Sequence, residues 1–217
     1  MSYVTELSGE KKPRKLPSRE LDAIETRILG CLAEKQMATP EYYPLTLNAL
    51  VAACNQKSNR DPVMELSEDD VQHGLDRLQE EKLVWKVMGG RAVRWDHALD
   101  ANLQLDRAGK AVLALLFLRG PQTPGELRGR GDRLYAFEGI AEVEETLRRL
   151  APLVNELPRR PGQKEGRWAQ TLSGGQAILP DPIEVEAAPR SDRLTRLEEQ
   201  VAALAEELRA LKAKLGE

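Results

Sequence analysis

The sequence predicts a mainly α-helical α+β protein with small β-hairpins, built as two tandem winged-helix domains followed by a C-terminal coiled-coil helix. Three observations carry that expectation. Three helical patterns followed by a hairpin pattern occur twice, the two copies align at their apolar positions, and the end of the chain holds an unbroken leucine heptad. The composition agrees: of 217 residues, 41% are hydrophobic, 31% charged and only 4% aromatic, which suits small helical cores of Leu, Val, Ile and Ala. The formal net charge of -3 supplies no global attraction to a polyanion, so a nucleic-acid contact has to come from local basic patches.

Residues 1–17 carry Lys11, Lys12, Arg14 and Lys15 with Pro13 and Pro17 and no apolar period, and are expected to be a disordered basic arm. The first winged-helix domain is expected over residues 18–100. Ser18 is its expected first N-cap, and Leu21, Ile24, Ile28, Cys31 and Leu32 mark one face of a helix running to about Gln36. Leu47, Leu50, Val51 and Cys54 mark a second helix over residues 46–54, and residues 55–66 read as an irregular connection. Ser67 caps a third helix reaching about Lys82, with Val71, Leu75 and Leu78 toward the core. The period then changes, and residues 83–87 and 92–95 flank Gly89-Gly90, a pair suited to a tight hairpin.

The second domain is expected over residues 101–172. Its first helix spans residues 109–118, its second opens at Thr123-Pro124, and its third buries Ile140, Val143, Leu147 and Leu150. Residues 154–158 and 167–171 are the expected strands of its wing. Val71, Leu75 and Leu78 match Val143, Leu147 and Leu150 at one constant offset, and Trp95 matches Trp168 one residue later. Residues 173–190, with Gly174, Gly175, Pro180, Pro182 and Pro189, form a flexible linker. Over residues 191–217, Leu194, Leu197, Val201, Leu204, Leu208, Leu211 and Leu215 alternate spacings of three and four, the a/d seam of a coiled coil. A homodimer through residues 191–215 is expected; the alternative is an amphipathic helix folded back onto the domains.

The segments Glu34-Lys35-Gln36, residues 39–50 and residues 53–64, together with Arg119-Gly120-Pro121-Gln122-Thr123-Pro124-Gly125-Glu126-Leu127-Arg128, resemble the YceH-like family of uncharacterised bacterial proteins. The resemblance covers essentially the whole body of the chain. It implies two winged-helix domains and supplies no activity, catalytic residue or cofactor.

With Val71, Leu75 and Leu78 inward, the helical period turns Asp69, His73, Asp76 and Glu80 outward, and carboxylates on that face oppose reading of a major groove. In the second domain the outward positions are Ala141, Glu145 and Arg148. Candidate phosphate contacts therefore lie on wings and loops: Lys57 and Arg60, Arg91 and Arg94, Arg128, Arg130 and Arg133, and Arg159, Arg160, Lys164 and Arg167. Lys86 stands beside the first wing as well. The alternative is a solvated surface balanced by neighbouring Glu and Asp. In residues 55–64, Asn, Ser and Asp are suited to closing turns, with Arg60 pairing a nearby carboxylate; the alternative makes Gln56, Lys57, Asn59 and Arg60 a recognition surface for a partner protein or nucleic acid. Tyr42 and Tyr43 suit base stacking, or packing on the first helix.

Other motifs carry little. Leu172-Ser173-Gly174-Gly175-Gln176 matches a transporter-ATPase signature, but the chain has no Gly-rich Lys-Ser/Thr phosphate loop, and Pro180 and Pro182 break the helix it should start. Arg130-Gly131-Asp132 is meaningful as an adhesion tripeptide only outside the cell. Cys31 and Cys54 fall at apolar helical positions and are expected to be reduced core thiols rather than a disulfide or ligand pair. His73 and His97 stand apart from each other, so neither a metal site nor a Ser-His or Cys-His nucleophile is proposed, and no cofactor is expected. No apolar run has the length of a membrane span, and the expected location is cytoplasmic. The sequence thus leads to a non-enzymatic protein whose partner is double-stranded DNA bound with low specificity, or alternatively a protein docked on the acidic third helix, with no membrane association.

Overall fold

The computed structural model describes residues 13–89, 92–159 and 165–174, which hold seven α-helices and two two-stranded antiparallel hairpins. The chain divides into two units, residues 1–177 and 178–217. The second unit lies outside the described residues, and with it the expected heptad seam from Leu194 to Leu215 and most of the expected linker.

Helix α1 (Ala23–Ala38) starts at Asp22, and the expected N-cap Ser18 has a different role. Asp22 accepts from the Glu25 amide and the Glu25 carboxylate accepts from the Asp22 amide, each at 2.8 Å, closing a capping box that an acid three residues on makes available. Ser18 donates its amide and hydroxyl to Glu81, each at 2.7 Å. The described part of the expected disordered arm is tied down: the Arg14 guanidinium donates to the carbonyls of Arg149, Leu150 and Ala151 at 2.8, 3.2 and 2.5 Å. Those carbonyls end a later helix, where a cation offsets the unsatisfied acceptors.

After a 3₁₀ turn at Pro40–Tyr42 come α2 (Leu47–Cys54), capped by Thr46, and α3 (Glu68–Glu80), capped by Ser67 in a box with Asp70. Strands β1 (Val84–Gly89) and β2 (Ala92–His97) pair antiparallel, with Lys86 opposite Trp95 and Met88 opposite Val93. A short helix unforeseen by periodicity, α4 (Leu99–Leu103), straddles the expected domain boundary and stops at Gln104 in the left-handed region (φ 52°). Five residues are too few to display a helical period. Then follow α5 (Arg107–Arg119), capped by Asp106, α6 (Pro124–Gly131), capped by Thr123, α7 (Ile140–Leu150), and the antiparallel strands β3 (Val154–Leu157) and β4 (Arg167–Gln170).

The duplication extends to individual hydrogen bonds. Leu45, just before α2, exchanges two backbone bonds with Trp95, at 3.2 and 2.7 Å; Gln122, just before α6, exchanges the same two with Trp168, at 3.0 and 2.8 Å. Each bridge adds a minimal third strand to its hairpin. The arginine preceding each tryptophan donates to the proline preceding each bridge residue: Arg94 to Pro44 and Arg167 to Pro121, both at 2.8 Å.

Val71, Leu75 and Leu78 are buried, as are Val143, Leu147 and Leu150, but Ile140 is 48% exposed rather than part of the inner stripe. One hydrophobic cluster runs through both repeats. Its seam is α1 against α5, which lie antiparallel: Gly30 meets Phe117 and Leu118, while Gln36 accepts from Lys110 at 2.6 Å. A Cβ at Gly30 would stand 2.9 Å from both Leu118 and Phe117, so glycine sets how closely the helices approach.

Candidate functional site

The structure sorts the candidate basic residues by what they touch. Arg60 is only 5% exposed. Its Nη1 and Nη2 donate to Glu34 Oε1 and Oε2 at 3.1 and 2.6 Å, and its Nε to the Ala53 carbonyl at 3.1 Å, so it is a core strut and unavailable to phosphate. Burial opposes its charge, yet the Glu34 carboxylate prevails and its pKa is raised. Arg94 and Arg167 are held against Pro44 and Pro121, and Arg167 also pairs with Glu126 at 2.9 Å, which makes both of them ties between wing and bridge segment. Arg130 donates to Gln122 Oε1 at 2.8 Å and approaches Glu126 at 3.5 Å.

Lys57, Arg128 and Arg133 are exposed, and none has a carboxylate within ion-pair distance among the described residues. Arg159 is exposed beside a cleft of about 570 Å³ between α7 and the second hairpin, where Ile140 and Trp168 stand among Glu144, Glu156 and Arg148. Arg91, Arg160 and Lys164 lie outside the described residues.

The connection from Asn55 to Leu66 is closed by its own side chains: the Asn55 amide donates to the Leu66 carbonyl and accepts from the Leu66 amide, both at 2.8 Å. Asn59 sits in the left-handed region (φ 59°), which Asn tolerates, and residues 57–59 are exposed. Tyr43 is half-buried, its hydroxyl donating to Asp96 at 2.6 Å and its ring meeting His97 edge-on, whereas Tyr42 is exposed. On α3, Asp69, His73, Asp76 and Glu80 all face solvent, as the helical period requires. Cys31 and Cys54 are free thiols in the core. Among the described residues no three His, Cys, Asp or Glu side chains converge as metal ligands, and no helix is long and apolar enough to cross a membrane.

A site that sequence reasoning missed lies between the repeats. A cleft of about 580 Å³ is walled by Glu34 and Lys35 of α1 and by Gln56, Ser58 and Asn59 of the loop; Arg119 of α5 and Arg130 and Arg133 from α6 and beyond complete it. Arg119 Nη1 donates to Asn59 Oδ1 at 2.8 Å. Burial, followed by the positive charge of Arg130, lowers the Arg119 pKa. Three of the segments that carry the family resemblance, around residues 34–36, 55–62 and 119–128, supply walls of this one cleft. The signal was present as three separate motifs, but nothing in their spacing said that they meet.

The family described as "Protein of unknown function, DUF480" matches residues 21–163. Among similar proteins, a "UPF0502 protein" of Citrifermentans bemidjiense is 46% identical over 91% of this chain and 96% of its own length. Another of the same description, from Chromobacterium violaceum, is 46% identical over 93% of this chain and 94% of its own length. One from Shewanella amazonensis is 49% identical over 88% and 97% respectively. These matches agree with the resemblance drawn from the motifs.

Proposed function

The chain belongs to the DUF480 family of proteins of unknown function, and on that premise we propose that it is a non-enzymatic protein of two tandem winged-helix domains that associates with DNA through loop contacts to phosphates. The order helix, bridge strand, helix, helix, hairpin, present twice, is the winged-helix order. The observation that carries the DNA reading is the set of exposed cations without carboxylate partners among the described residues: Lys57 on the loop, Arg128 on α6 and Arg133 just beyond it. The carboxylates of α3 turn away helix-in-groove binding, so the contact is to backbone phosphates and tolerant of sequence. In this reading the wings contribute less than their arginine count suggested, since Arg94 and Arg167 are engaged within the fold. The leucine seam of residues 191–215 makes the protein a homodimer and doubles the phosphate contacts.

A titration of generic duplex DNA against salt tests it. Affinity should fall steeply with salt, and Lys57→Glu and Arg128→Glu should each reduce the log-log slope by about one. Absence of affinity at low ionic strength overturns the reading.

The exposed Asp69, Asp76 and Glu80 of α3 favour a second reading, a protein-interaction adaptor that docks a basic partner there. Partners captured from lysate that survive nuclease treatment, and are lost with Asp69→Lys and Asp76→Lys, support the adaptor; partners that vanish with nuclease support DNA.

A further inference from the structure

We propose that the cleft between the two repeats is a binding site for a small phosphate-bearing molecule, gripped by Arg119 and Arg133 of the second repeat and by Lys35 of the first. This goes beyond the DNA reading and does not depend on it.

Size comes first. A concavity of about 580 Å³ lies in the range of small-molecule sites. The charges follow. Of the carboxylates at the cleft, Glu34 is committed to the Arg60 guanidinium, which holds both its oxygens, and it stands 3.8 Å from Lys35. Arg130 is satisfied by Gln122 and Glu126. Arg119 and Arg133 are left with no carboxylate within ion-pair distance among the described residues, while Asp132 is exposed at the rim. Arg119 is half-buried, where an unmet positive charge is costly and an incoming oxyanion is correspondingly favoured.

The neutral groups point to the same ligand class. The Gln56 carbonyl oxygen already accepts from Arg60 at 3.0 Å and from Lys35 at 3.5 Å, and the Asn59 carbonyl oxygen accepts from Arg119 at 2.8 Å. Both side chains therefore have their amide NH₂ groups left to donate, and the Ser58 hydroxyl adds another donor. A wall whose amide oxygens are consumed and whose amide donors remain is complementary to phosphate oxygens. Because the cations come from both repeats, an occupant bridges them, and binding stabilises the α1 and α5 seam by mass action.

The test is calorimetric titration of the full chain with inorganic pyrophosphate at fixed ionic strength, repeated with a nucleoside diphosphate to learn whether an organic portion is read. Saturable binding is expected. Arg119→Gln should weaken it tenfold or more, Arg119→Lys should retain part of it, and Arg159→Gln should leave it unchanged. If circular dichroism shows that Arg119→Gln does not fold, the exposed Arg133→Gln decides in its place, with the same tenfold loss expected. Lack of saturation at millimolar pyrophosphate, or saturation that the folded variants retain in full, overturns the proposal. Duplex binding measured on the same samples keeps the two ideas apart: Arg128→Glu should weaken DNA and spare pyrophosphate, and Arg119→Gln the reverse.

Discussion

The two repeats share a backbone plan and differ in what fills it. Among the described residues, the first buries four acidic or basic side chains, Glu25, Arg27, Arg60 and His97, whereas in the second the buried polar residues are the neutral Gln122 and Thr146. Superposing the caps Asp22 and Asp106 places Glu25 against Gly109, Arg27 against Ala111 and Cys31 against Leu115. Superposing the bridging tryptophans places His97 against Gln170. The first repeat uses its buried guanidiniums to hold a long loop: Arg27 donates to the Cys54 and Pro62 carbonyls at 3.0 and 2.5 Å, and Arg60 spans Ala53 to Glu34. The second has a shorter connection there and packs it with Leu134 and Phe137. One architecture thus tolerates an ionic or an apolar filling. The ionic filling shapes the loop that walls the cleft, and it is also what makes the first repeat the vulnerable one.

Acid should expose that difference most strongly. Burial pushes His97 down to about 4, from an ordinary value of 6.5. Between those values the unfolded chain takes up a proton that the folded chain refuses, so stability declines as pH falls from 6.5 toward 4. For Glu25, burial acts upward, but hydrogen bonds from Arg19, the Asp22 amide and Arg77 overcome it and hold the carboxyl at about 2, below its ordinary 4.5. The stability this supplies is complete above 4.5 and is lost as pH falls toward 2. The two losses add. Urea unfolding followed across pH should show decline over both windows, with His97→Gln, which copies the second repeat, removing the upper one. A profile flat from pH 7 to 4 in the parent chain would contradict this.

Next in size is Arg60→Ala, which removes the buried guanidinium that holds both Glu34 oxygens and the Ala53 carbonyl and should cost about 3–5 kcal/mol. Arg60→Met, closer in volume, should recover part of that, and amide exchange should rise across residues 55–66 in both variants. A cost under about 1 kcal/mol would show that the loop does not depend on the strut. The smallest expected effect separates the repeats from each other. Gly30→Ala gains about 1 kcal/mol of helix propensity but overpacks against Leu118 and Phe117 by about 1–3 kcal/mol, for a net loss of up to about 2 kcal/mol. Fluorescence of Trp168 in the second repeat, compared with that of Trp85 and Trp95 in the first, should show the two transitions drawing apart in this variant. Coincident transitions would mean that the seam tolerates the methyl group.

Sequence by itself determined the periodic features. Two rounds of helices with a hairpin, the inward positions of α3 and, Ile140 apart, of α7, and the outward carboxylates of α3 were legible, because they depend on residues within a few turns of one another. The paired Pro-x-Thr before α2 and α6, and Arg-Trp in β2 and β4, were legible in principle as marks of the bridges and went unread. The start of α1 was misplaced because Ser18 and Asp22 are both good caps, and only the return bond from Glu25 distinguishes them. Tertiary structure alone decided which arginines are free. Arg94 and Arg167 look like surface cations in the chain, and for Arg60 the sequence offered a carboxylate partner without saying which; they find Pro44, Glu126 and Glu34 across separations that no local pattern encodes. The cleft has the same origin: an ion pair or a concavity needs only proximity, and proximity between distant segments is set by how α1 and α5 pack, not by the order of residues along either.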